Sequence, residues 1–174
     1  TASHPLLSQH GWRPLEQLLV GDFIAAPSIL PIFGNELVPE AEIDLLALLI
    51  GDGSIGPGAG TPALTCALPE VFEVADAAAR TFGARLTFNA PAGAASTYRI
   101  SCGRGGGVAN PVTEMLRRHG CWGKSAHDKQ VPAAVFTAPR QLVVRFLNRL
   151  FATDGTAWVA PAGYARVGYA TVSE

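Results

Sequence analysis

Two runs about 100 residues apart dominate this 174-residue sequence: Leu45-Leu46-Ala47-Leu48-Leu49-Ile50-Gly51-Asp52-Gly53 and Leu147-Asn148-Arg149-Leu150-Phe151-Ala152-Thr153-Asp154-Gly155. Ile43, Leu46, Ala47 and Ile50 follow the i, i+3, i+4, i+7 spacing of one buried helix face, and Val143, Phe146, Leu147 and Leu150 repeat it. The spacing predicts helices opening near Glu40 and Pro139, each with one carboxylate just past its C-terminal end. That end of a helix dipole disfavours an anion, so neither Asp serves its own helix. If the helices pack side by side, the carboxylates converge. At about 5 Å and an effective dielectric near 20, their repulsion is on the order of 3 kcal/mol. A raised carboxylate pKa or a bound divalent cation relieves it. Paired Asp oxygens suit Mg²⁺, which can help water attack a phosphodiester. One Asp-Gly alone reads as an ordinary turn; two at matching positions do not.

The rest of the chain predicts an α+β fold. Residues 1–27 are short apolar pieces between turn formers, with Phe23-Ile24-Ala25-Ala26 the clearest strand. Residues 28–39, with Pro31 and Pro39, read as a linker. After a Gly- and Pro-rich loop, Ala63 to Leu68 predicts a strand and Pro69 to Phe82 a helix. Strands are predicted over 84–89 and 97–102, and Asn110-Pro111 opens a helix closed by Gly120. Trp158-Val159 and Tyr164 to Val172 predict strands after the second Asp-Gly helix. Gly51 to Gly60 lacks the lysine of a phosphate-cradling loop.

Composition narrows the class. Hydrophobic residues make up 48%, enough for a sizeable core. Charged residues are 16% and the net charge is −1, without the basic excess usual in nucleic-acid binders. No apolar run approaches the roughly 20 residues of a membrane span, and Thr1 to His4 does not open a signal peptide. Cys66, Cys102 and Cys121 form no C-x-x-C pair and read as reduced thiols, which predicts a cytoplasmic protein.

The two Asp-Gly segments resemble the paired motifs of LAGLIDADG homing endonucleases, in the form found within inteins. The resemblance implies a pseudo-twofold αββαββα repeat over residues 40–174, with the motif helices at its centre and saddle-shaped sheets in the DNA major groove. It implies that Asp52 and Asp154 hold Mg²⁺. His127-Asp128-Lys129-Gln130-Val131-Pro132 resembles the family's Lys-x-(Ile/Val)-Pro segment, which matches Lys129 to the lysine near the cleavage centre. Arg149 departs from the pattern, standing where the family has a small residue that lets the helices approach.

Thr1-Ala2-Ser3-His4-Pro5-Leu6-Leu7, Gly11-Trp12 and Val20-Gly21-Asp22-Phe23-Ile24 resemble an intein's Thr-x-x-His block, so residues 1–27 are expected to be an edge of its β-rich splicing (Hint) domain. There Thr1 and His4 would assist the acyl shift, the imidazole shuttling a proton and the hydroxyl donating to the oxyanion. His10, His119 and His127 have no such context and read as ordinary polar residues. The sequence shows no N-terminal Cys or Ser nucleophile block and no terminal His-Asn block, so an incomplete intein is expected, with a second repeat cut short at Glu174. The run from Asn110 through Phe136 to Gly155 is most similar to inteins of DnaB-type replicative DNA helicases. The implied partners are double-stranded DNA of the uninterrupted host gene and the flanking host-protein segments (exteins). Arg85, Arg99, Arg104 and Arg166 are the expected phosphate contacts. Two other readings stand beside this one. One is a degenerate endonuclease that only binds DNA or braces the splicing domain. The other is an unrelated α/β enzyme binding a phosphorylated small molecule, which leaves the duplication unexplained.

Overall fold

The computed structural model describes residues 1–26, 32–93, 95–103 and 109–173, and the chain forms two compact units, Thr1–Ile32 and Phe33–Glu174. Arg104, one of the expected DNA contacts, lies outside the described residues.

In the first unit, strands β1 (Pro5–Ser8) and β2 (Gly11–Pro14) form an antiparallel hairpin, with Ser8 opposite Gly11. Gly11 takes a φ of 95°, which a side chain resists, and Ser8 Oγ donates to its carbonyl at 2.9 Å. A 3-10 turn follows at Leu15–Gln17. Phe23 to Ala26, expected as the clearest strand, is not one: Ile24 makes a single isolated bridge to Ser8. Its β propensity has no ladder to join beyond that bridge and one hydrogen bond from Ala25 N to Leu7 O at 2.7 Å.

The second unit is built around two helices, α1 (Glu40–Asp52) and α5 (Arg140–Asp154). Between them run β3 (Gly53–Ser54), β4 (Ala63–Cys66), α2 (Pro69–Thr81), β5 (Arg85–Ala92), β6 (Ala95–Ser101), α3 (Pro111–Arg118) and α4 (Ala133–Phe136). The hairpin β7 (Gly155–Val159) and β8 (Ala165–Tyr169) follows α5. The first four strands make one antiparallel sheet in the order β3-β4-β6-β5. Its register is regular except for a shift between Phe88 and Ala90 on β5. Leu64, Leu86 and Ile100 point to the core, while Thr65, Thr87, Thr97, Arg85 and Arg99 share the opposite face. Asp76 ties α2 to that sheet, accepting from Leu86 N at 2.9 Å and from Arg80 Nε at 2.8 Å. Asn110 caps α3 as its Asn-Pro signal predicts, accepting from Val112 N at 3.0 Å. The short helix α4 has too few residues to show a helical period in the sequence.

α1 departs from the one-faced helix of the sequence reading. Every residue from Glu42 to Leu49 is buried, because the helix is covered by α2 and β4 as well as by α5. α5 is one-faced, burying Leu142, Phe146 and Leu150, and Leu147 of the expected face is 46% exposed. Residues 33–39 are part of this unit: Gly34 N bonds Ala138 O at 3.1 Å, Glu36 N bonds Thr137 O at 3.0 Å, and Val38 is buried. Among the described residues no helix is long and apolar enough to cross a membrane.

Arg149 does not hold the helices apart. Its guanidinium turns aside to Asp44, a buried carboxylate on α1, with Nε 3.0 Å from Oδ1. Arg145 grips the same carboxylate through two hydrogen bonds of 2.8 and 2.7 Å, and reaches Glu40 at 2.6 Å. The sequence period marks Asp44 only as a gap in an apolar run; its arginine partners sit on the other helix. Arg149→Ala, which restores a small residue, is expected to lower stability by about 1.5 kcal/mol, because it removes a charge-assisted bond to a buried acceptor. Urea denaturation measures it, and an unchanged or raised midpoint would contradict the assignment.

Candidate functional site

Gly51 sets the approach of α1 and α5. A Cβ built there would lie 2.0 Å from Thr153 Oγ1 and 2.7 Å from Thr153 Cβ, so only the missing side chain permits this contact. One residue on, Asp52 ends α1 and Asp154 ends α5. The carboxylates therefore belong to the last helical residues rather than to the turns beyond them. Gly53 and Gly155 then leave in extended conformation, their N–H groups donating to Leu49 O and Phe151 O. A Cβ on either would strike its own helix, 2.3 Å from Leu49 O or 2.2 Å from Phe151 O. Both Asp-Gly steps thus meet the same steric demand, which is the duplication expressed in backbone geometry.

Charge accumulates at this end. Burial pushes the Asp52 carboxyl above its ordinary value, the Asp154 carboxylate pushes it further, and Lys129 partly opposes both. Lys129 Nζ donates to Gly53 O at 2.7 Å and to Gly51 O at 3.3 Å, satisfying carbonyls left open at the α1 terminus. Burial lowers its pKa against the attraction of Asp52, Asp154 and Cys121. Two thiols sit nearby. Cys66 is raised by burial and by Asp52, and Cys121 is pushed up to about 11 by burial, so both are held as neutral thiols.

A cavity of about 420 Å³ opens here, lined by Gly51, Lys129, Asp154 and Tyr169 together with residues 170–173. Its wall is stitched to the lysine loop: Ser173 Oγ donates to Lys129 O at 2.8 Å, and His127 Nδ1 donates to Val172 O at 3.2 Å. His127, which reads from sequence as an ordinary polar residue, helps place Lys129. Tyr169 escapes sequence reading altogether, since only the pairing of Gly155 with Tyr169 carries it to the Asp-Gly step.

The donor set fits a hard divalent cation. Among the described residues no three acidic, histidine or cysteine side chains converge, but Mg²⁺ commonly takes one or two carboxylates and keeps several waters. Asp52 and Asp154 would be that pair, and the repulsion that raises the Asp52 carboxyl is what a cation would quench. Arg85 and Arg99 lie exposed on the outer face of the β3-β4-β6-β5 sheet, and Arg166 lies exposed beside Trp158 and Thr156 on one face of β7-β8. Thr1 and His4 belong to the first unit, where His4 N donates to Thr1 O at 3.0 Å in a turn that leaves both residues exposed.

This sequence is similar to segments of much longer proteins. It is 32% identical over 178 residues to the replicative DNA helicase DnaB of Rhodothermus marinus, an alignment covering 99% of this chain and 19% of the helicase. The DnaB helicase of Nostoc sp. is 31% identical over 163 residues, 90% of this chain and 18% of that protein. Protein RecA of Mycobacterium tuberculosis is 30% identical over 183 residues, 100% of this chain and 22% of RecA. The chain spans about a fifth of the length of these relatives. No family model matches it. It is similar to one segment of each of these proteins.

Proposed function

We propose that this chain is the central part of an intein, joining part of a splicing domain to a homing endonuclease of the LAGLIDADG type that makes a Mg²⁺-dependent double-strand cut in DNA. The observation that carries the reading is the duplicated helix end, with two carboxylates beside one half-buried lysine. The relatives agree in kind. One sequence aligns along its whole length with a fifth of a DnaB helicase and a fifth of a RecA protein, as an element inserted into differently named hosts would. The host here is proposed to be a DnaB-type helicase.

Asp52 and Asp154 would hold Mg²⁺, which supplies Lewis-acid stabilisation of charge on the phosphodiester oxygens. Lys129, within the same charge cluster, counters negative charge building on the phosphate as water attacks phosphorus and the bond to the leaving sugar oxygen breaks. The Thr- and Arg-bearing sheet faces contact backbone phosphates, which position DNA without reading it. Thr1 and His4 assist the acyl shift at the N-terminal splice junction. The net charge of −1 favours a second reading, a degenerate nuclease that binds DNA weakly or only braces the splicing unit.

The test uses the full-length protein and two plasmids, one carrying the uninterrupted host-gene site and one carrying that site already interrupted. Mg²⁺-dependent linearisation of the first alone is expected. Retardation without cutting would favour the degenerate nuclease, and neither binding nor cutting would overturn the endonuclease.

A further inference from the structure

The contact between α1 and α5 is alike at one end and unlike at the other. At the Asp-Gly end Gly51 meets Thr153, and both steps take one backbone geometry. Further back along the helices, Arg145 and Arg149 of α5 together donate three hydrogen bonds to Asp44 of α1, and Arg145 donates another to Glu40. Every acid of this network stands on α1 and every base on α5. Asp44 is 4% exposed, so its charge depends on those arginines. Aligning the two Asp-Gly steps makes Asp44 the counterpart of Phe146, and Ile43 and Ala47 the counterparts of Arg145 and Arg149. Ile43, Ala47 and Phe146 are buried and apolar, so the charges of one helix have no twin at the matching positions of the other.

We propose that the Asp44 face of α1 selects its partner: it accepts α5 and rejects α1 of a second copy of this chain. Shape alone does not reject that copy. Gly51 and Ala47 are small, so α1 is shaped to approach another α1 closely. Charge does reject it. In the same geometry each Asp44 would face Ile43 and Ala47 of the copy, and two buried carboxylates would have no arginine opposite them. Stranding a buried charge in this way is strongly unfavourable, and a penalty set against the wrong partner is what makes an interface specific. α5 is barred from its own copy by bulk, because one Cβ at position 51 already collides with Thr153. Only the mixed pair meets both demands, which keeps Asp52 for Asp154. The selection acts through folding and needs no nuclease activity.

The experiment refolds the full-length protein at rising concentration in reductant and then oxidises it briefly. Ala47→Cys is the reporter, because its thiol meets that of a second copy when α1 packs on α1. The same protein without the reporter gives the background from Cys66, Cys102 and Cys121. Two changes are compared in the reporter chain. Asp44→Leu removes the carboxylate, whereas Arg145→Leu with Arg149→Ala removes the same bonds and leaves the carboxylate in place. Asp44→Leu is expected to raise the crosslinked dimer roughly tenfold, since even part of the penalty for a stranded buried charge amounts to that factor. The arginine variant is expected to stay at the level of the reporter alone, although it has lost the network too. Asp44→Asn, which keeps the shape, should behave as Asp44→Leu does and decides the matter if the leucine chain does not refold. Dimer from the aspartate and arginine variants alike would make the network a brace whose loss merely opens the chain. Dimer from neither would leave Asp44 without a part in partner choice. Either result overturns the proposal.

Discussion

Replacing Asp52 or Asp154 with Asn is expected to lower DNA cutting about a thousandfold, the scale of losing a metal-held charge worth several kcal/mol at the transition state. Asn keeps the shape and loses the charge, so DNA binding should survive because the sheet arginines are untouched. Stability should move the opposite way. The Asp52 carboxyl titrates above its ordinary value because it is buried and faces Asp154. An acid whose pKa is raised by folding holds its proton more tightly in the folded state. The contribution of this group to stability is therefore greatest at low pH and falls as pH rises from the ordinary carboxylate value through the raised one. Metal-free wild-type protein should lose stability relative to Asp52→Asn across that window, because the variant lacks this titration. Adding Mg²⁺ at neutral pH should raise the melting temperature of wild type and leave the Asn variant little changed. Thermal melts across pH, run beside plasmid cleavage, check both halves. An Asn variant that cuts like wild type would remove these carboxylates from the chemistry.

The helix ends were legible because two constraints coincided there. Periodicity marked α1 and α5, and each Asp-Gly step sits where a Cβ on glycine would collide with its own helix. Lys129 was legible only through the resemblance of its Lys-x-Val-Pro surroundings; no local pattern says that its ammonium reaches the carbonyls of Gly51 and Gly53. Tyr169 was not legible, since its place depends on strand register, and a slip of one residue would send the phenol to the other face. Asp44 shows the same limit. A lone carboxylate in an apolar helix looks like a misfit until Arg145 and Arg149 arrive from the far end of the chain. Phe23 to Ala26 shows the reverse error, where local β propensity was clear but an adjoining ladder was lacking.

Gly51→Ala is expected to cost about 1–3 kcal/mol of stability, as overpacking does in a filled interior. Cutting should fall about a hundredfold, since roughly 1 Å of misplacement at a reacting centre is enough for that. The added methyl would meet Thr153 Oγ1 at 2.0 Å, Cβ at 2.7 Å and Cγ2 at 2.9 Å. Rotating the threonine cannot clear its Cβ, so the helices must part at the level of Asp52 and Asp154. Those three atoms all belong to one side chain, which makes the prediction reversible. In a Thr153→Gly background those three contacts are gone, and Gly51→Ala should then cost much less than it does in wild type, whatever Thr153→Gly costs alone. Gly53→Ala is the control. Its methyl would strike the Leu49 backbone at 2.3 Å, where no side-chain deletion can make room, so Thr153→Gly should not rescue it. The measurement is a double-mutant cycle in both melting and cleavage. Strong coupling of Gly51→Ala to Thr153→Gly, and none for Gly53→Ala, is the expected pattern. Additive losses at Gly51 and Thr153 would mean that the two helices do not meet there, and that the carboxylates are not brought together by this contact.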